Sequence, residues 1–438
     1  MISPPNIGLF DIYLSSFFVL IAYFICFRIQ RQKIGANKAY SYFLFGLSAK
    51  IVGAVVFALV SIYYYKGGDT FRYFQVAENL RYLFYASFDD GIDLFFTSFN
   101  AISDADYFEL GFPNRYYEKS STWFFSRIVF VFNTITFGSY LASSILISVV
   151  SFIGLWLGYS AFIQIYSGNI GLLFIPFFLV PTALFWSSGI LRDTIIIGSF
   201  GVVLYSGVNL FIFKKNLLLH SLIFLLALGF ILFLKPILFF VLLPCLVVWM
   251  VLSFIAKNFY FKNILRYAIF GALTIIILVF FVNTYVLDEN SKYKLTHLMI
   301  TLKGFHTIHP DYPVAASAYN LGEINYTFFG AIKKVPEAIN VTFFRPYFWE
   351  INGFSTFLAA LEAFVLFGLF VYVLILRKNI FQFKGAIFLF LFSIMYAAVA
   401  GIAAYNFGAL TRFKIPAVLT FTLLLVIACA QKNESKQH

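Results

Sequence analysis

The sequence predicts an all-α integral membrane protein that crosses the bilayer about eleven times. Of its 438 residues, 61% are hydrophobic and only 11% are charged, and the mean hydropathy is +0.88. Apolar runs of about 20 residues, the length that spans a bilayer as a helix, alternate with short polar joints. A water-soluble globule is excluded because this composition cannot cover its surface with polar groups.

The predicted helices follow from the apolar runs in chain order. A helix satisfies its own backbone N–H and C=O groups, which lipid cannot do. The run at 123–137 is too short to span, so we expect it to form an interfacial or re-entrant helix. The spanning runs are 9–28, 41–64, 139–162, 171–186, 193–213, 218–234, 237–256, 265–286, 353–375, 385–404 and 415–430.

The orientation follows from the basic residues of the short loops, which are retained in the cytoplasm. These residues cluster near positions 28–38, 214–215, 257–266, 377–384 and 432–436, all on one side if the predicted helices are right. The N-terminus is therefore expected outside and the C-terminus in the cytoplasm. The first run has no preceding basic segment or cleavage site, so we expect it to be a retained helix.

Two other function classes are disfavoured by composition. The net charge of +12 is spread over helix ends and aromatic neighbourhoods, as headgroup contact and the positive-inside rule require, so nucleic acid is not an expected partner. Cys26, Cys245 and Cys429 fall inside apolar runs and predict neither a disulfide framework nor a metal site. His306 and His309 form a loose pair without a third ligand nearby, so no metal cofactor is assigned.

The whole chain, 1–438, is read as one membrane domain with two long extracytoplasmic loops, 66–138 and 287–352. The first loop holds nine of the chain's 19 acidic residues up to position 122. Both loops are rich in aromatic residues, and 70–84 has a helical pattern, so we expect short helices on the outer membrane face. The plainer alternative is a pair of solvated loops whose charges give solubility.

The first polar joint begins Gly67-Gly68-Asp69-Thr70-Phe71-Arg72-Tyr73. The glycines free the backbone and place Asp69 at the lipid–water boundary. A carboxylate there is suited to act as a general base toward an acceptor hydroxyl. The alternative role for Asp69 is to cap the helix that follows, and the two roles are compatible.

A second joint, 185–193, ends with Arg192 and Asp193 at the head of a predicted transmembrane helix. A helix N-terminus and a guanidinium together favour a phosphate group. The alternative is that Arg192 and Asp193 only pair with other groups and cap the helix. Lys235, at the next outer joint, adds a cation at similar depth, or it snorkels to the interface.

Two further joints carry ionic groups on the same predicted side. Arg345 and Glu350 lie among aromatic residues before the ninth run, and Asn406, Arg412 and Lys414 precede the last. We expect the cations of all the joints to line one outward cavity for an anionic ligand, for which a lipid-linked pyrophosphate is the natural candidate. Scattered lipid headgroup contacts are the alternative. The expected phosphate ligands are Arg192, Lys235, Arg345, Arg412 and Lys414, and the expected substrate contacts are Arg72, Tyr73, Asp193, Glu350 and Asn406.

Two ionisable residues, Lys50 and Glu362, lie within predicted helices. Each costs several kcal/mol of free energy unless it is paired or faces a cavity. The sequence alone does not show whether they pair.

The segment Asp69-Thr70-Phe71-Arg72-Tyr73, with Ala77-Glu78 at helical spacing, resembles the start of the first extracytoplasmic loop of GT-C glycosyltransferases. The joints at 186–193, 345–350 and 406–416 are also similar to those of bacterial membrane proteins of polysaccharide assembly. The first resemblance implies that Asp69 is the catalytic base and that basic residues at outer helix ends hold a lipid phosphate leaving group. Thr70 stands where many such enzymes have a second acid.

The expected function is therefore transfer of a sugar or glycan from a polyprenyl-phosphate carrier to a glycan or lipid acceptor, at the outer face of a bacterial cytoplasmic membrane. A polysaccharide polymerase or ligase, in which arginines carry most of the catalysis, is a related alternative. A transporter or flippase of lipid-linked saccharides also needs a cationic cavity. A scaffold that uses its loops as docking surfaces is the fourth hypothesis.

Overall fold

The chain is helical throughout the part that a computed structural model describes, where the only extended pairing is an isolated bridge between Ala318 and Asn406. The described residues are 5–98, 102, 120–166, 168–255, 300, 303–304, 317–322, 324–376, 380–381, 383, 385–404 and 406–430. The chain divides into unit 1, Met1–Leu210 with Lys215–Phe239, and unit 2, Phe211–Lys214 with Phe240–His438.

Unit 1 contains ten α-helices among its described residues. The helix α2 is preceded by a 3-10 turn, Lys38–Tyr42, and is continued by a π-helical turn, Val60–Tyr65; a second π-helical turn, Val208–Phe213, continues α9. The helices are α1 (Leu9–Lys33), α2 (Phe43–Leu59), α3 (Asp69–Ala86), α4 (Phe88–Phe96), α5 (Ser120–Ile135), α6 (Tyr140–Ile165), α7 (Ile170–Phe178), α8 (Pro181–Trp186), α9 (Arg192–Gly207) and α10 (Leu217–Leu234).

Unit 2 contains the remaining helices that the structure describes. Its first helix begins in unit 1 and continues into unit 2. The helices are α11 (Pro236–Ile255), α12 (Phe328–Lys333), α13 (Val335–Phe344), α14 (Phe354–Ile375), α15 (Ala386–Ala403), α16 (Phe407–Phe413) and α17 (Ile415–Ala430), with a 3-10 turn at Phe348–Glu350.

The polytopic all-α prediction is confirmed, with eight described helices long and apolar enough to cross a membrane. A ninth is added if α16 and α17, which meet at a bend of 62°, count as one broken span. The predicted run 265–286 and most of the second loop, including His306 and His309, lie outside the described residues. Residues 123–135 of the short run lie in α5, and 70–84 forms part of α3, so both segments are helical as predicted.

The predicted span 171–186 is not one helix. It consists of α7 and α8, which separate at Leu179 and Val180. Pro181 is the reason, because proline has no N–H to continue a helix and forces the residue before it into extended backbone. Val180 is extended accordingly, and Pro181 takes the first position of α8, where a proline is well tolerated.

The centre of unit 1 is a close crossing of α6 and α9 that depends on glycine. A Cβ atom on Gly154 would overlap the carbonyl of Gly198, and one on Gly201 would overlap the carbonyl of Gly154. Small residues let two helix backbones approach closely, which strengthens their van der Waals packing in lipid. This crossing fixes the position of α9, whose first residue is Arg192.

The two ends of unit 1 can be told apart by their contacts. At one end Ser139 donates to the Asp11 carboxylate at 2.6 Å, and the hydroxyls of Thr70 and Tyr140 lie 2.8 Å apart. At the other end the Gln30 amide donates to the carbonyl of Tyr40 at 2.6 Å, and the Tyr40 ring lies 5.4 Å from the ring of Trp156 on α6. The helices α1 and α6 therefore run parallel, as the predicted alternation of spans requires; the orientation toward the cytoplasm stays a prediction.

Replacing Gly154 by alanine is expected to lower the thermal stability of the protein in detergent. The added methyl must push α6 away from α9, and overpacking of this kind costs about 1–3 kcal/mol. Gly229→Ala is the matched control, because a Cβ at Gly229 has no atom within 4 Å and alanine favours a helix. An apparent Tm for Gly154→Ala no lower than that of Gly229→Ala would contradict this packing.

Candidate functional site

The candidate site of unit 1, called here the Arg192 site, is formed where α3, α5 and α9 meet at the Tyr140 end. Its members are Tyr73, Ser121, Arg192, Asp193 and Lys235. All of them except Ser121 were predicted from sequence, and the structure brings the five residues together from four separate chain segments.

The start of α3 is set by glycine. Gly68 has φ +114°, a backbone conformation that favours glycine, and it is the residue that precedes the first turn of the helix. Asp69 is therefore the first residue of α3 and not its cap, so the capping interpretation is wrong. A carboxylate in the first turn is favoured by the helix dipole. Thr70, the next residue, is buried and fastens this turn to Tyr140.

The start of α9 is a tight turn at Gly189, which has φ +89° and packs on the ring of Phe57. The hydroxyl of Thr194 donates to the carbonyl of Gly189 at 2.9 Å, which closes the turn. Leu191 precedes the helix and offers no side-chain cap. The positive end of the α9 dipole therefore coincides with the Arg192 side chain.

The Arg192 guanidinium is half-buried and is held from two other helices. Its Nη1 donates to the Ser121 hydroxyl at 3.1 Å, and its Cζ lies 5.9 Å from the centroid of the Tyr73 ring. The Tyr73 ring is itself buried and meets the Phe125 ring edge to face. Among the described residues the partners of Arg192 are thus a hydroxyl and an aromatic face, which fix its position without neutralising its charge.

The neighbouring Asp193 pairs with Lys235. The carboxylate oxygen lies 3.1 Å from the lysine Nζ, and only 9% of the Asp193 side chain and 18% of the Lys235 side chain are exposed. Asp193 therefore pairs with another group, as one of the two interpretations of this joint predicts, and its partner is Lys235.

Asp69 is the first residue of α3, the helix that carries Tyr73 of the Arg192 site. It lies four residues before Tyr73, so the two side chains share one face of the helix about 6 Å apart along its axis. Arg72 is half-buried on the same turn. Further along α3, burial raises the pKa of Glu78, opposed by the charge of Arg81 and a hydrogen bond from Tyr82.

The turn between α8 and α9 is held in place by Lys50, which is fully buried in α2. Its Nζ donates to the backbone carbonyl of Ser187 and, at 3.0 Å, to the Ser187 hydroxyl. Ser187 ends α8, where a cation complements the negative end of the helix dipole. Ser148 donates to the Lys50 carbonyl at 2.9 Å and ties the same level to α6.

Arg345 and Glu350 form a closed pair within unit 2. The arginine Nε lies 3.1 and 3.0 Å from the two carboxylate oxygens, and Nη2 also contacts the carboxylate. Burial alone would raise the pKa of Glu350, but the hydrogen bonds and charge of Arg345 and the Tyr347 N–H outweigh it and lower the pKa. The guanidinium also lies over the rings of Tyr319 and Phe407.

Lys414 and Glu362 form a second, more deeply buried pair in unit 2. The two charged groups lie 3.5 Å apart, with 1% and 6% of their side chains exposed. This answers the question of the partner of Glu362, which the sequence left open. Asn406 accepts the Ala409 N–H at 2.7 Å as the cap of α16, and Arg412 lies in the last turn of that helix.

The ten predicted phosphate and substrate contacts therefore fall into two groups, one in each unit. Arg72, Tyr73, Arg192, Asp193 and Lys235 lie with Asp69 in unit 1; Arg345, Glu350, Asn406, Arg412 and Lys414 lie in unit 2. The expectation of a single cavity lined by all of them stays a prediction.

Ser121 is the member of the Arg192 site that sequence reasoning missed. The run Ser120-Ser121-Thr122 ahead of the short apolar segment was the available signal. Hydroxyl residues are so common at helix starts that this signal pointed only to a helix terminus.

Metal ligands do not cluster in the part of the chain that the structure describes: it holds no group of three His, Cys, Asp or Glu side chains arranged for an ion. The three cysteines are free thiols, as expected from their positions in helices.

Comparison with known proteins found no matching family model, no similar curated protein and no similar solved structure.

The stability of unit 2 is expected to depend on pH through Glu350. Because its folded pKa lies below the ordinary value of 4.5, the ionised carboxylate stabilises the fold above that pH. The stabilisation is lost as pH falls through the folded pKa. Glu350→Gln should lower the apparent Tm at neutral pH and should make the apparent Tm decrease less as the pH is lowered.

Glu337→Gln is the control for this pH series. Glu337 faces Lys334 at 3.9 Å with half of its side chain exposed, so its ion pair contributes little. Equal acid slopes for Glu350→Gln and the wild-type protein, measured by thermal unfolding in detergent, would overturn the assignment.

Proposed function

We propose that this protein is a membrane glycosyltransferase that uses a sugar or glycan carried on a polyprenyl phosphate, at the extracytoplasmic face of a bacterial cytoplasmic membrane. The observation that carries the proposal is the Arg192 site: a half-buried guanidinium with neutral partners, at a helix N-terminus, beside the helix that begins with Asp69.

The phosphate of the carrier is assigned to Arg192 and the first turn of α9. A guanidinium binds phosphate oxygens with two parallel N–H donors, and the helix dipole favours the same charge. Ser121 and Tyr73 hold the guanidinium in place, so little order has to be gained on binding. Lys235 neutralises the adjacent Asp193 carboxylate, so that this carboxylate does not repel the phosphate.

Asp69 is assigned the role of general base. The acceptor hydroxyl oxygen forms a bond to the anomeric carbon of the sugar, and the bond from that carbon to the phosphate oxygen breaks. The hydroxyl proton passes to the Asp69 carboxylate, and the bonding electron pair leaves with the phosphate. Arg72 and Tyr73, on the next turn of α3, are assigned to contact the sugar or the acceptor.

Unit 2 contributes little to this proposal. The charges of Arg345 and Lys414 are balanced by Glu350 and Glu362. These residues are therefore better suited to stabilise the fold of unit 2 than to bind a phosphate. Arg412 stays a predicted phosphate contact.

The test is transfer of labelled sugar by the purified protein in nanodiscs, with a panel of polyprenyl-phosphate sugars and acceptor glycans. We expect Asp69→Asn to lower the transfer rate by 10²-fold or more, the range typical for a general base. Arg192→Ala should lower both the rate and the binding of polyprenyl phosphate in native mass spectrometry. Arg31→Ala, an exposed cation at the far end of α1, is the control.

The outcome also separates the transferase from a polysaccharide polymerase. Transfer that survives Asp69→Asn but not Arg192→Ala would favour the polymerase, in which arginines carry the chemistry. No transfer with any donor, together with no bound polyprenyl phosphate, would contradict both.

A second candidate function, transport of a lipid-linked saccharide, is favoured by one observation. The chain between α7 and α9 is broken twice within a few residues, and Lys50, in the middle of a spanning helix, binds the break at Ser187. Broken helices and buried ionisable residues at membrane depth are typical of transporters.

Liposomes that contain the purified protein distinguish the two functions. The glycosyltransferase predicts a new glycosidic bond without movement of labelled lipid-linked saccharide across the bilayer. The transporter predicts crossing without bond formation, and loss of crossing in Lys50→Met. Crossing without a new bond would replace the enzyme proposal.

A further inference from the structure

An apolar groove in unit 1 lies next to the Arg192 site. It has a volume of about 440 Å³ and is walled by α5, α6, α9 and α10, with almost no polar surface. Its lining includes small residues, among them Gly154, Gly198 and Ala227. Gly154 and Gly198 also belong to the close crossing of α6 and α9.

The groove and the Arg192 site share two helix faces. On α9, Ile195, Ser199 and Val202 line the groove and follow Arg192 at helical spacing. On α5, Ile128 lines it seven residues after Ser121, the hydrogen-bond partner of Arg192. Ile195 lies one helical turn, about 5 Å of rise, after Arg192, so the apolar lining on α9 begins within one turn of that residue.

The aromatic side of the groove is continuous with the same joint. Phe230 on α10 lines the groove and meets the ring of Phe124 on α5 at 6.0 Å, and Phe233 stacks on the same Phe124 ring at 5.5 Å. The outer rim is open, since Ile153 and Leu226 are 52% and 64% exposed. A long chain can therefore enter the groove from the surrounding hydrocarbon.

We propose that this groove binds the isoprenoid chain of the lipid whose phosphate is held by Arg192, so that the headgroup and tail of one phosphorylated polyprenyl lipid are bound as a single ligand. This assignment rests on the proposed function and extends it to a second subsite. A cation at the mouth of a hydrocarbon groove matches an anionic amphiphile. One groove takes one chain, which fits a polyprenyl phosphate better than a two-chain phospholipid.

The first test maps the tail on the wild-type protein. Undecaprenyl phosphate with a diazirine on its isoprenoid chain is added to the protein in nanodiscs and irradiated, and the cross-linked peptides are identified by mass spectrometry. Cross-links concentrated on α5, α9 and α10 at the groove support the assignment. Cross-links spread over other lipid-facing helices, such as α1, overturn it.

The second test fills the groove. Val202→Trp places an indole among its walls, whereas Leu222→Trp places the same side chain on α10 at a position that is 58% exposed and does not line the groove. We expect the Kd for undecaprenyl phosphate, measured by native mass spectrometry, to rise at least tenfold in Val202→Trp, because displacement of a few buried methylene groups suffices for that. Leu222→Trp should leave it unchanged.

Two outcomes would contradict tail binding in the groove and leave the glycosyltransferase proposal intact. One is equal binding of undecaprenyl phosphate by Val202→Trp and Leu222→Trp, while Arg192→Ala no longer binds this lipid. The other is phosphatidic acid, a two-chain anionic lipid, bound as tightly as the polyprenyl phosphate and with the same loss in Val202→Trp. Conversely, a tail that cross-links to the groove with no sugar transferred supports the groove and contradicts the transferase. If Val202→Trp fails to fold, as judged by its Tm, the cross-link map alone decides.

Discussion

The cost of placing charge in a membrane is the constraint on which this structure depends. An ionised side chain at depth is stable only if another group compensates it. Lys50 is satisfied by the end of α8, Asp193 by Lys235, and Lys414 by Glu362. These three arrangements fix the breaks between helices, because a partner that moved away would leave a charge in a low-dielectric surrounding.

Arg192 differs from these groups, and the function proposed here follows from that difference. Its partners among the described residues orient the guanidinium but carry no charge, and the adjacent Asp193 carboxylate forms an ion pair with Lys235. An arginine held rigidly, whose described partners are a hydroxyl and an aromatic ring, favours an anion from outside the chain. The tight turn at Gly189 and the close crossing of α6 and α9 place this cation at a helix N-terminus and above an apolar groove.

Much of the fold follows from the sequence, because hydrophobic run length determines a membrane helix almost by itself. The runs that the structure describes form helices, with 171–186 divided into two, and the glycines before Asp69 set the start of α3 as the pattern indicated. The prediction of one helix over 171–186 was wrong because the hydropathy of this run is uniform, whereas Pro181 interrupts the helix. The backbone effect of one proline outweighed the hydrophobic pattern. The charged residues were recognised as important, but their partners were not, since Lys235 and Asp193 are 42 positions apart. Ser121 and the groove depend on packing between distant helices, which no local pattern encodes.

The central claim is that Arg192 holds the phosphate of a polyprenyl lipid. A density map of the protein in nanodiscs that contain undecaprenyl phosphate tests it most directly. The account predicts a phosphate within hydrogen-bond distance of the Arg192 guanidinium and the first N–H groups of α9, with the lipid chain leading into the groove. A phosphate bound elsewhere on the protein, with only phospholipid chains at Arg192, would contradict it.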